Sequence, residues 1–455
     1  MMWFGVILMA CNLSSSNDPL TVITPRSQNA TATPDPNTPL PPQDANGGTI
    51  SDNDQVEVDL YNLRAQVDGN RMMADIYSLE GFFTRHVNSS QTNTGRGIGA
   101  ARSYLSQQFQ AIATVYPNHF QVTNQPFQTF YNDVESTQQN VIGILQGTEP
   151  GAGVLVIGAH YDSRTDDLND GEGFAPGADD NGSGVAGVVE LARIMASRPL
   201  RSTVVFVLFA SEEVGRQGSR AFVNEFIIPN NIDVVAMLNL DTIGSYNAPN
   251  GTINDRQIRL YSDDDTSNRS LARHLARSVH FIGENHTLPL AIDIRASADR
   301  DGRYGDHFSF TEANYPAVRL IEALEDTPNR EGRDTVENVE EEYLVATTQT
   351  ILTIAMAIAD GVQPPSNMSL RQMNIVTEDG QRQFNFVWNM VPGASRYIVA
   401  LRRPGSLTYN TQFVVENNES GSWHRFGEFE AIAIASVDEN GLVGRLSSEF
   451  LININ

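Results

Sequence analysis

The chain has 455 residues, 40% of them hydrophobic, and a formal net charge of −25 at pH 7. A chain of this length buries more than one hydrophobic core, so we expect two or three domains. Acidic residues outnumber basic ones by 55 to 30 and no lysine occurs, which excludes nucleic-acid binding and lysine Schiff-base chemistry as functions.

The first residues indicate a targeting segment. Residues 1–11 form an apolar run that is too short to span a bilayer but suits a signal peptide. The run ends in Leu8-Met9-Ala10-Cys11, which resembles the bacterial lipobox. That resemblance implies a lipid on Cys11 and an extracytoplasmic envelope lipoprotein, or a secreted protein, that meets the membrane only through this anchor. An incidental apolar N-terminus is the alternative. Ser, Thr, Asn, Pro and Gly predominate in residues 12–52, which predicts a disordered tether.

Helical and strand patterns follow the tether. Apolar residues at helical spacing predict a helix from Val56 to Leu79 and a second from Ala100 to Ala113. Nearly continuous apolar runs then predict buried strands at 141–145, 154–157, 203–209, 234–238 and 317–321, with helices at 184–195 and 340–359. This alternation predicts an α/β domain over residues 53–362, built on a doubly wound, mainly parallel sheet.

The pattern changes to short β-type runs over residues 366–455, which predict a small all-β sandwich. A Trp388 strand, then Pro392-Gly-Ala-Ser-Arg-Tyr397, then Asp438-Glu-Asn-Gly441 before a last strand resemble a fibronectin type III domain. No catalytic constellation lies in this segment, so a structural or spacer role is favoured over ligand binding.

Polar side chains cluster where the predicted strands end. His160 and Asp162 follow one strand, Glu212 and Glu213 the next, and Asp241 a third, while Asp180 precedes a helix. Carboxyl ends of parallel strands share one sheet edge, so these side chains can converge. The single cysteine lies at position 11, so a metal must be held by His and carboxylates, a set that zinc accepts. Of the two adjacent glutamates, one can bind metal while the other takes a proton, and Asp162 can hold the second ring nitrogen of His160.

Four ordered motifs resemble those of peptidase family 28, which includes aminopeptidase Y and glutamate carboxypeptidase. They are Ala159-His-Tyr-Asp-Ser163, Gly177-Ala-Asp-Asp-Asn-Gly-Ser-Gly184, Ser211-Glu-Glu213 and Asn239-Leu-Asp-Thr-Ile-Gly244. The resemblance covers residues 56–360 and implies two zinc ions. By this resemblance His160 and Asp241 hold one zinc, Asp180 bridges, Glu213 holds the second, and Glu212 is the general base.

One expected ligand is missing. The family supplies a His shortly before an Asp-Thr pair in a late loop, but the corresponding residues 329–335 contain none. His307 is a candidate substitute, although it can equally bind substrate or pack in the core, and Glu331 is another candidate. The second site can also lack this ligand altogether.

These features predict a zinc exopeptidase that acts on peptides or proteins, and an aminopeptidase in particular, because the simpler secreted members of the family have that activity. Two alternatives stay open. One is a one-zinc enzyme like glutaminyl cyclase. The other is a non-catalytic envelope binding protein built on a degenerate peptidase fold. The sequence does not specify an oligomeric state.

Overall fold

We describe the fold from a computed structural model, which covers residues 55–453 except 249, 264–267, 298, 300–303, 326–330, 377–379, 381 and 417–419. The lipobox, Cys11 and the tether 12–52 lie outside the described residues, and so does the side chain of Glu331. The helices are α1 Gln55–Arg64, α2 Gly69–Gly81, α3 Ile98–Val115, α4 Gly184–Met195, α5 Gln217–Ala221, α6 Leu271–Asn285, α7 His307–Glu312 and α8 Glu341–Asp360.

The first eight strands form one mixed sheet. They are β1 Phe120–Tyr131, β2 Val134–Leu145, β3 Val154–His160, β4 Thr203–Phe209, β5 Val234–Leu240, β6 Gln257–Tyr261, β7 Ala291–Ile294 and β8 Ala317–Glu322. Their spatial order is β1-β2-β4-β3-β5-β8-β6-β7. The neighbours β4, β3, β5 and β8 run parallel in the middle, and antiparallel pairings flank them. The predicted α/β sheet is therefore confirmed, with its parallel part confined mainly to the centre.

The central strands are buried because helices cover both faces of the sheet. Every residue of β3, β4 and β8 is buried, as expected for continuous apolar runs. Among the described helices α8 is long and apolar enough to cross a membrane, but 78% of that stretch is buried. It therefore serves as a core helix of the α/β layer.

The single helix expected from Val56 to Leu79 is wrong, since α1 and α2 are separate. Asp68 is extended (φ −115°, ψ 107°), and its side chain accepts hydrogen bonds from the amides of Asn70 and Arg71. This is an N-cap, which starts a new helix at a point where apolar spacing alone shows no interruption.

The last eight strands form two smaller antiparallel sheets. They are β9 Ser369–Val376, β10 Arg382–Val387, β11 Arg396–Arg402, β12 Thr411–Glu416, β13 Ser420–Trp423, β14 Ala431–Val437, β15 Val443–Leu446 and β16 Phe450–Leu451. One sheet has the order β13-β10-β9, and the other has the order β12-β11-β14-β15 with β16 paired to β14. Aromatic and aliphatic side chains of both sheets share one core around Trp388, so the predicted all-β sandwich is confirmed. The fibronectin type III likeness stays a prediction.

The sandwich packs directly on the α/β layer through α6. Phe281 of α6 lies in a buried cluster with residues of β11, β14 and β15. Arg277 Nε lies 3.0 Å from a Glu449 carboxylate oxygen, and the Leu446 amide donates to Ser278 Oγ. A flexibly attached spacer would not bury such side chains, so the sandwich contributes to the core of this protein.

Candidate metal centre

The candidate centre lies at the carboxyl ends of three adjacent strands. His160 is the last residue of β3, the Glu212–Glu213 pair follows β4, and Asp241 follows β5. Asp180 lies in the irregular turn Ala178–Ser183, which leads directly into α4. Because β4, β3 and β5 are neighbours in the sheet, side chains that are far apart in sequence meet at one edge.

Three of these side chains form a ligand set for one divalent ion. His160 Nε2 lies 3.3 Å from Asp180 Oδ1 and 3.6 Å from Asp241 Oδ1. One ligand atom from each residue lies within 4.8 Å of the others, and no other such trio of His, Cys, Asp or Glu occurs in the described part of the chain. One imidazole and two carboxylates fit zinc and leave a coordination position open.

The electrostatics of this trio also favour a cation. Burial alone would lower the pKa of His160, but Asp162, Asp180 and Asp241 raise it well above its ordinary value. The carboxylates therefore create a strongly negative potential at the imidazole, which a divalent ion would neutralise.

Asp162 connects the imidazole to the two glutamates. Its Oδ1 lies 3.6 Å from His160 Nδ1, and its backbone carbonyl lies 3.2 Å from the same nitrogen. The two carboxylate oxygens accept the backbone N–H groups of Glu212 at 3.0 Å and of Glu213 at 3.1 Å. Asp162 therefore positions residues from two strands at once.

The turn that carries Asp180 is held by Asp334. The Asp334 carboxylate accepts the N–H groups of Asp179 at 3.0 Å and Asp180 at 2.8 Å. Asp179 is not part of the trio, and its Oδ1 accepts the Gly244 N–H at 2.8 Å. The Asp of the late Asp-Thr pair thus supports the metal-binding turn.

The glutamate pair is largely buried beside other acids. Burial, Asp306 and Glu213 raise the pKa of Glu212 well above its usual range, although His160 opposes them. Burial and Asp180 raise the pKa of Glu213 to about 7, although Arg164 opposes the rise. The Arg164 Nη1 atom lies 3.5 Å from Glu213 Oε2.

A buried arginine fixes Asp241. Arg319 Nε lies 2.9 Å from Asp241 Oδ2, and both side chains are almost fully buried. Burial alone would raise the pKa of Asp241, but Arg319 and His160 hold it well below its usual value. A side chain on Gly305 would meet the same carboxylate, so the backbone approaches closely here.

His307 does not join the trio. Its Nε2 lies 3.0 Å from the Ser262 carbonyl oxygen, and burial lowers its pKa to about 3, so the imidazole is neutral. The hypothesis that it binds metal stays a prediction without support from these contacts.

Sequence reasoning missed three charged residues near the centre, namely Arg85, Asp306 and Arg319. Arg85 is fully buried and donates to the backbone carbonyls of Tyr161 and Gly177. Burial raises the pKa of Asp306, the residue before His307, to about 7. Asp306 adjoins His307, which was a candidate ligand, whereas no local pattern marked either arginine.

Comparison with known proteins identifies similar proteins over much of the chain. Residues 140–355 match the model of Peptidase family M28. A protein of Phaeosphaeria nodorum named "Probable zinc metalloprotease" is 32% identical, over 72% of this chain and 74% of its own length. A protein of the same name from Pyrenophora tritici-repentis is 31% identical, over 72% of this chain and 82% of its own length.

Two solved structures share the fold. LapB from Legionella pneumophila has a TM-score of 0.52 at 23% identity, over 68% of this chain and 77% of that one. An aminopeptidase from Aneurinibacillus sp. strain AM-1 has a TM-score of 0.50 at 15% identity, over 66% of this chain and 96% of that one.

Proposed function

Because the chain belongs to peptidase family M28, a family of zinc metallopeptidases, we propose that it is an aminopeptidase that removes residues from the N-terminus of peptides or proteins. The observation that carries this proposal is the surplus of acidic side chains around His160.

The acidic side chains of the centre are Asp162, Asp180, Glu212, Glu213, Asp241 and Asp306. A carboxypeptidase needs a cation for the terminal carboxylate of its substrate, whereas carboxylates complement a substrate α-ammonium group.

Each described arginine near the centre lies against an acidic side chain or backbone carbonyls, and the acids of the centre outnumber these arginines. Arg85 donates to backbone carbonyls, while Arg319 and Arg164 lie against Asp241 and Glu213. The balance of charge thus favours a substrate with a positive end.

The residues divide the chemistry between them. Zinc, when bound, supplies a Lewis acid that polarises the scissile carbonyl and acidifies a water. Glu212 takes the proton from the attacking water and returns it to the leaving amine nitrogen. Burial raises the pKa of Glu212, which favours the protonated acid that returns the proton to the leaving nitrogen. Asp162 orients the His160 imidazole, and its carboxylate fixes the backbone of Glu212 and Glu213 by accepting their N–H groups.

Cyclisation of an N-terminal glutamine is the second candidate, and the single complete ligand trio favours it, since such chemistry needs one zinc. Both reactions start from a free N-terminus, so the charge argument does not separate them. The products do, because one reaction releases an amino acid and the other releases ammonia.

Three matched peptides test the proposal: one with both termini free, one N-acetylated and one C-terminally amidated. We expect zinc-dependent release of the first residue from the free and amidated peptides and none from the acetylated one. Glu212→Gln should lower kcat by about 10²–10⁴-fold. The matched control is Glu225→Gln, which alters an exposed glutamate. Cleavage of the acetylated peptide from its C-terminus, or an unchanged Glu212→Gln variant, would contradict the proposal.

A further inference from the structure

We infer that this protein holds one zinc, and that the Arg164 guanidinium provides the positive charge beside Glu213 that a second ion would provide. The inference deepens the proposed function and rests on it only for the role of Arg164 in turnover. The metal count can be tested without any substrate.

Among the described residues, the histidines and carboxylates around Glu213 are too few for a second zinc. A catalytic zinc takes about three protein side chains, and Glu213 with a shared Asp180 oxygen makes two. Of the eight histidines, only His160 belongs to the trio. The others are engaged elsewhere: His86, His119 and His307 face backbone carbonyls, His286 faces Glu57, His274 and His280 lie on α6, and His424 lies in the sandwich. The position beside Glu213 therefore has no imidazole.

The Arg164 guanidinium lies beside Glu213, where an imidazole is missing. Arg164 Nη1 is 3.5 Å from Glu213 Oε2, and the Arg164 side chain is 35% exposed, so solvent reaches part of it. Its charge is permanent, because a guanidinium is not deprotonated in proteins. A zinc ion beside Glu213 would have to approach this cation closely, and the two would repel each other.

Buried hydrogen bonds anchor the two residues that precede Arg164. Asp162 is held by the amides of the glutamate pair, as described above. Ser163 Oγ accepts the backbone N–H of Arg85 at 3.0 Å and donates to the Ala175 carbonyl at 2.8 Å. Both residues before Arg164 are thus anchored and buried, so the arginine starts from a fixed point next to the trio.

The position of Arg164 suggests a task in the reaction. In a two-metal site the second ion helps to stabilise the negative charge that develops on the substrate oxygen. A guanidinium offers five N–H donors and a fixed positive charge for the same purpose. Arg164 then acts as a catalytic residue whose charge also keeps Glu213 compatible with its acidic surroundings.

Metal titration of the full-length, metal-free protein tests the count. We expect Co²⁺ to develop its visible absorption up to one equivalent, and calorimetry with Zn²⁺ to give one site. Glu213→Gln and Glu331→Gln should both keep one site. A second site in the unaltered protein would overturn the inference, as would loss of a site in either variant.

Variants of Arg164 test its role. Arg164→Ala should keep one zinc and lower kcat by about 10²-fold with a smaller change in KM, while Arg164→Lys should retain part of kcat. Arg425→Ala is the control, because Arg425 is similarly exposed in the sandwich and pairs with Glu428. An Arg164→Ala variant that folds, as judged by its thermal unfolding, and keeps full kcat would overturn this role. If the unaltered protein has one zinc but no peptidase activity, the proposed function fails while the metal count stands.

Discussion

Asp162→Asn is the variant that most directly tests how this centre is built. The carboxylate accepts two backbone N–H groups, those of Glu212 and Glu213, and lies 3.6 Å from His160 Nδ1. An asparagine has one oxygen, so its amide nitrogen would confront one of these N–H donors. The substitution also removes the negative charge that holds the imidazole in orientation.

The size of the effect can be worked out from these contacts. A hydrogen bond to a charged group contributes about 1.5–3 kcal/mol, and one of the two is lost. Loss of a carboxylate behind a metal-binding histidine weakens metal affinity by about 10–100-fold. That range equals about 1.4–2.7 kcal/mol of zinc-binding free energy, and the lost hydrogen bond lowers the stability of the fold separately.

Competition with a chromophoric chelator, using the metal-free protein at neutral pH, measures this change in zinc affinity. Asp167→Asn is the matched control. Asp167 is an exposed aspartate on the same segment, and its side chain also accepts a backbone N–H, that of Asn169. The control should bind zinc like the unaltered protein. If Asp162→Asn binds zinc within about threefold of the unaltered protein, well below the range expected for such a partner, Asp162 does not position the ligand set and the reasoning is refuted.

Three further variants probe two buried charged residues and the predicted lipid anchor. Arg319→Met leaves the buried Asp241 carboxylate without its cation, so chemical denaturation of the metal-free protein should show a loss of about 3–5 kcal/mol, and saturating zinc should reduce that loss. An equal loss with and without zinc would contradict this. Burial raises the pKa of Asp75 from 3.8 to about 6, so the fold favours the protonated acid. Its contribution to stability is therefore fully present below pH 4 and declines by up to about 3 kcal/mol as the pH rises through 6. Asp75→Asn should remove this decline in unfolding experiments between pH 4 and 7, and an unchanged pH profile would contradict the assignment. Cys11→Ser should move the protein from the membrane fraction to the soluble fraction, and retention in the membrane would refute the proposed lipid anchor.

Much of the fold followed from apolar runs. The strand predicted at 203–209 is β4 without change, and the helix predicted at 184–195 is α4. Both are almost entirely buried, and their nearly continuous apolar composition reflects that burial. Strand β1 was missed because it is an edge strand with many exposed polar residues. Its pairing with β2, which the local sequence does not encode, stabilises it.

The candidate site was predictable only in part: its metal ligands were, and the arginines beside them were not. Strand ends meet at one edge, and that rule brings together His160 and Asp241, while Asp180 joins them from the turn that leads into α4. The arginines that compensate these acids follow no such rule. Arg319 meets Asp241 from a separate strand, and Arg85 reaches the centre from the loop after α2. Pairings between residues this far apart in sequence become visible only when the chain is folded.

Because the chain contains no lysine, arginine supplies the positive charge at both of these buried positions. Arg85 must neutralise nearby acids while fully buried, and its guanidinium distributes several N–H donors over backbone carbonyls, which a lysine ammonium cannot do in that planar arrangement. Arg319 also uses more than one nitrogen, with Nε toward the Asp241 carboxylate and Nη1 toward that of Asp299. The acids of the centre are therefore held in place by fixed cations before any metal arrives. Because part of the negative charge is already balanced, we expect the centre to bind one divalent ion at the trio and no second ion beside Arg164.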